Sequence, residues 1–124
     1  MNNVRKAAAA MAVAVAVVSA TAARAEEDGK RYHGWGLAIA YLAVGEKCAG
    51  ALDAADMQSL QSFIASGLAY SRRMDRKFDH DKFVDTFHDE MVTKYSDTSN
   101  CTPGVVKEAR NAVAEVRKRA VDAD

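Results

Sequence analysis

The sequence predicts an all-α fold: a small four-helix up-down bundle with one disulfide, preceded by a cleaved signal peptide. Three observations carry that expectation. Apolar residues recur at three- and four-residue spacing in four separate stretches, and nothing alternates at period two over more than a few residues. The only cysteines, Cys48 and Cys101, fall at the end of the first stretch and just ahead of the fourth. The chain is 124 residues long with a single proline, enough for one small domain and too short for a multidomain enzyme.

Residues 1–25 read as an export signal. Arg5 and Lys6 make a positive start, Ala7 to Val18 form an apolar run, and Ala23-Arg24-Ala25 gives the small-x-small pattern that signal peptidase accepts. The run is dominated by alanine and is shorter than the roughly 20 apolar residues of a spanning helix. Cleavage after Ala25 is therefore expected, with a single helical domain over 26–124, periplasmic or secreted, and no stable membrane insertion afterwards. That segment holds fourteen basic against seventeen acidic residues, a net charge of minus three. A nucleic-acid partner needs the opposite balance, so none is expected. Leu, Ile, Val and Phe are sparse in it, which leaves a thin core for a domain that buries only about two-thirds of its unfolded surface.

The first helix is predicted from about Tyr32 to Cys48, with Trp35, Leu37, Ile39, Tyr41, Leu42 and Val44 as its apolar positions. Gly34, Gly36 and Gly45 weaken it. The second runs from about Ala54 to Met74, with Asp53 as cap and a stripe of Met57, Leu60, Phe63, Ile64, Gly67 and Leu68; Gly67 offers room for a neighbouring helix to come close. The third runs from Asp79 or Asp81 to Tyr95, buried along Phe83, Val84, Phe87, Met91 and Tyr95, with acids in its first turn where the helix dipole favours them. The fourth takes Thr102 as cap and Pro103 as first helical residue, where a missing N–H does no harm. Its stripe is Val105 or Val106, Ala109, Ala112, Val113, Val116 and Ala120, and Arg117 to Arg119 lie at the end that favours cations. The connections are short, as antiparallel neighbours require.

Two cysteines in a small exported domain admit one pairing, Cys48–Cys101. A redox-active pair ordinarily sits as Cys-x-x-Cys, and two isolated thiols fall short of a zinc shell. In an up-down bundle the end of the first helix and the start of the fourth share a layer, so the bridge is expected to be structural.

The densest polar cluster is Asp79, His80, Asp81, Asp85, His88, Asp89 and Glu90. Asp81, Asp85, His88 and Asp89 share one helix face through three- and four-residue steps, the residue types that hold a divalent cation. The spacing fails the calcium-loop pattern, since His80 and Thr86 occupy its glycine and closing glutamate places. A solvated acidic face is the plainer reading. Arg72, Arg73, Arg76 and Lys77 form the one basic cluster, a polar helix end with some affinity for an acidic partner or a phospholipid headgroup. Asn100-Cys101-Thr102 matches the glycosylation triplet, but Pro103 directly after it argues against use. No phosphate loop, nucleophile elbow or paired-cysteine metal motif is present, so neither an enzyme nor a bound cofactor is expected.

The expected function is protein binding by a non-enzymatic exported helical protein, chaperone-like or inhibitor- or immunity-like, with another envelope protein as partner. The alternative is a periplasmic carrier of a small ligand or divalent metal. A one-disulfide helical domain behind a signal peptide resembles periplasmic acid-stress chaperones. The stretch Cys101-Thr102-Pro103-Gly104-Val105 resembles the Cys-Pro segment of some type VI secretion immunity proteins. Each likeness covers a few positions only, and neither assigns a role to any residue.

Overall fold

Each helix begins where the chain supplies a start signal. The computed structural model describes residues 34–123, with side chains through Arg119. It comprises α1 (Trp35–Lys47), α2 (Ala54–Met74), α3 (His80–Ser96), a single 3-10 turn (Thr98–Asn100) and α4 (Pro103–Ala123). The signal peptide expected over 1–25 lies outside the described residues, as does His33.

The α1 helix opens at Trp35, later than its apolar spacing suggested, because Gly34 adopts φ +91°, a conformation incompatible with helix. Asp53 caps α2 through a reciprocal box: its side chain accepts from the Asp56 N–H at 2.8 Å, and the Asp56 carboxylate accepts from the Asp53 N–H at 3.1 Å. Asp79 caps α3 by accepting from Lys82 N–H at 3.0 Å. The Thr102 hydroxyl accepts from Val105 N–H at 3.2 Å, which leaves Pro103 at the first position of α4.

The bundle is built around α1, which packs against all three other helices. Trp35, Ala38, Ile39, Leu42, Ala43 and Val44 are buried, so α1 is apolar around much of its circumference. Leu37 departs from the predicted stripe and is 56% exposed. Two glycines set the α1–α2 distance. At Gly67 a Cβ would stand 2.2 Å from the Trp35 ring, and at Gly45 it would stand 2.1 Å from the Met57 sulfur. These contacts pair the start of α1 with the late part of α2, and the end of α1 with its beginning. The two helices are antiparallel.

The core continues through Leu60 and Ile64 of α2, Tyr95 of α3, and Ala109 and Val113 of α4. At the end where α1 stops and α4 begins, Ala43, Val44, Cys48, Ala51, Tyr95 and Ala109 form one cluster, flanked by Tyr41, Met91 and Val105. The Cys48–Cys101 disulfide lies in this layer with 5.7 Å between Cα atoms, well inside the bridging range. Arg110 secures the same end from outside. It donates from Nε to the Ala51 carbonyl at 2.9 Å and from Nη2 to the Gly50 carbonyl at 3.0 Å, holding the turn in which Gly50 has φ +74°.

Candidate functional site

The acidic face of α3 is where the sequence placed a candidate metal site, and the fold gives two of its four members, Asp81 and His88, separate partners. Arg72, near the end of α2, engages Asp81 in a two-pronged pair, with Nε donating to Oδ2 at 3.1 Å and Nη2 donating to Oδ1. That contact holds the Asp81 carboxyl below its usual range and the Arg72 guanidinium above its own. His88 donates from Nε2 to the Glu46 carboxylate at 2.6 Å, tying α3 to α1. Asp85 and Asp89 are exposed to solvent. From Asp81 to Asp89 the helix rises about 12 Å at about 1.5 Å per residue, so a shared face does not make a shared centre. Among the described residues no group of three or more His, Cys, Asp or Glu side chains could hold a metal ion.

His80 belongs to a different environment from the acids beside it. It is 2% exposed and donates from Nε2 to the Asp75 carbonyl at 2.6 Å, with its ring centre 5.2 Å from that of Phe78. The carbonyl can only accept, so Nε2 carries the hydrogen. The sequence does contain the signal for this burial. His80, Val84, Phe87, Met91 and Tyr95 follow one another in steps of three and four, which puts the imidazole at the head of the apolar stripe.

The concavity that sequence reasoning missed is an open groove of about 680 Å³ between α2 and α4. It is lined by Phe63, Ser59, Ser62 and Ser66 from α2 and by Val116, Arg117 and Arg119 from α4. The serines recur every three or four residues along α2, so their short side chains leave open space where larger ones would fill it. Ser59 donates its hydroxyl to the Ala55 carbonyl at 3.1 Å. Arg117 reaches Asp56 at 3.0 Å, and the Arg119 guanidinium lies over the Phe63 ring at 5.9 Å. Phe63 and Val116, predicted as core residues, are each half-buried because they face this groove.

Other polar groups serve the frame. Asp97 accepts from the Ser99 N–H and hydroxyl at 3.1 and 2.7 Å, which holds its carboxyl below the usual range. The Tyr41 phenol is pushed up, first by burial and then by the nearby Glu108 and Tyr95. Met57 and Met91 are half-buried, whereas Met74 is 67% exposed.

No protein-family model matches this chain, no curated protein matches it, and no solved structure matches its fold.

Proposed function

We propose that this is a non-enzymatic exported protein that binds another envelope protein, taking an apolar segment of that partner into the α2–α4 groove. The groove itself is the observation that carries the reading: a phenyl, a valine, serine hydroxyls and two guanidinium groups line one open concavity. Such a surface suits an amphipathic segment whose apolar residues reach Phe63 and Val116 and whose acidic residue meets Arg119, Arg117 being already paired with Asp56. The non-catalytic part rests on the sequence, which carries no phosphate loop, nucleophile elbow or paired-cysteine metal motif.

A photo-crosslinking amino acid at Ser62 tests the reading in the exporting host, with the same probe at Glu90 on α3 as reference. A discrete adduct from position 62, lost on Phe63→Asp and missing from position 90, is the expected result. Equal labelling from both positions, or labelling that survives Phe63→Asp, would refute it.

The second reading is a carrier of a small apolar anion. It draws support from the groove's volume, about 680 Å³, which falls within the range of small-molecule sites. Titration with a medium-chain carboxylate separates the two readings, because only a carrier saturates with it.

A further inference from the structure

The end of α2 and the turn into α3 form a corner where exposed apolar and basic side chains stand together. Tyr70 and Met74 are 56% and 67% exposed, and among the described residues only Leu37 is another large hydrophobic left so open. Tyr70, Arg73 and Met74 lie at three- and four-residue steps, on one face of α2. The Arg73 guanidinium sits 5.9 Å from the centre of the Tyr70 ring. Arg76 and Lys77 follow in the turn, both exposed.

The acids of this corner are already engaged. Asp81 is held by Arg72, Asp79 caps α3, and Asp75 is half-buried. Arg73, Arg76 and Lys77 form no ion pair among the described residues. Residues 70–82 thus carry five basic against three acidic side chains, in a segment 26–124 that is net negative. This stretch is therefore locally positive.

We propose that this corner docks the protein on an anionic phospholipid surface. Met74 and Tyr70 enter the headgroup region, while Arg73, Arg76 and Lys77 meet the phosphates. A lipid surface suits these side chains better than an acidic protein does. Tyr70 and Met74 are exposed, and a bilayer interface accepts them with no matching cavity, whereas a protein partner must supply one for Met74. Tyr and Arg also suit that depth, since each places an apolar body inward and a polar tip outward. No described helix is long and apolar enough to cross a membrane, so the contact is peripheral.

Co-sedimentation of the oxidised protein with vesicles tests this. Vesicles of phosphatidylglycerol should retain it, vesicles of phosphatidylcholine should not, and retention should fall as salt rises. Each basic residue at such a surface contributes about fivefold to partitioning, so R73Q/R76Q/K77Q should lower it about a hundredfold. Met74→Ser should lower it about tenfold through the lost apolar contact. Both variants leave the Arg72–Asp81 pair in place, and unchanged unfolding midpoints would show that the fold is intact. Equal retention on neutral vesicles, or retention unaffected by the triple substitution, overturns the proposal. So does binding to soluble polyglutamate without binding to anionic vesicles, which would assign the corner to an acidic protein.

Discussion

Gly67→Ala should destabilise the protein, although helix propensity alone points the other way. Alanine is favoured over glycine in a helix interior by about 1 kcal/mol. At position 67 the added methyl would stand 2.2, 2.5 and 2.7 Å from three Trp35 atoms, where ordinary contact begins at 3.4 Å. Trp35 is 8% exposed and forms the first turn of α1, so it can retreat by roughly 1 Å only by shifting that helix or leaving its rotamer. Overpacking of this kind costs about 1–3 kcal/mol, and three atoms inside 3.0 Å place it at the upper end. The net loss is about 2 kcal/mol, which in a domain of this size lowers Tm by about 8–16 °C. Gly104 provides the control within the same chain. A Cβ there meets nothing nearer than 4.0 Å, so Gly104→Ala should be neutral or stabilise by up to about 1 kcal/mol. Urea and thermal unfolding of the oxidised protein, followed by helical circular dichroism, measures both. A Gly67→Ala protein as stable as its parent, or more so, would refute the packing account of the α1–α2 interface.

Replacing both cysteines by alanine opens a loop of 53 residues and should cost about 4 kcal/mol by loop entropy; a loss below about 1 kcal/mol would deny the bridge its structural role. Asp53→Ala removes the side-chain acceptor of the Asp56 N–H and leaves the backbone N–H of residue 53 to the Asp56 carboxylate; it should cost about 1 kcal/mol in urea unfolding. Because Asp81 and Asp97 titrate below their ordinary range in the folded state, the unfolded chain takes up protons first. Stability should therefore fall as pH drops through the ordinary carboxylate range and below it. Asp97→Asn keeps a capping oxygen without the titration, and should flatten part of that dependence. Tyr41 has the opposite sign. Its phenol is raised when folded, so the unfolded chain loses its proton first, and stability should decline as pH climbs past 10.0; Tyr41→Phe should remove that decline.

The fold was legible because its determinants are local or few. Asp53, Asp79, Thr102 and Pro103 announce their helices through their own chemistry, and a cysteine pair admits one bridge. Gly67 could be read as a point of close approach, but only the fold shows that an indole fills it. Leu37 misled because an apolar residue counts toward periodicity whether or not a neighbour reaches it. His80 misled in the opposite direction: its neighbours Asp79 and Asp81 made it look polar, while its register along α3 placed it in the core. The acidic face illustrates the limit of pattern. Asp81 and His88 do share a side of α3, but Arg72 and Glu46, distant in sequence, claim them. The α2–α4 groove is a property of two helices together, and the serines of one say nothing until the arginines of the other stand opposite.

The spacing of the two bridged residues has a consequence for how the molecule is made. During synthesis the earlier thiol emerges with no mate, and stays so until two helices and a 3-10 turn have followed it. Since no third thiol exists, no wrong partner is available within the chain, and a shuffling catalyst has nothing to correct. The erroneous products are links to other molecules, a second copy of the chain among them, so faithful maturation depends on which outside thiols are near while that first thiol waits.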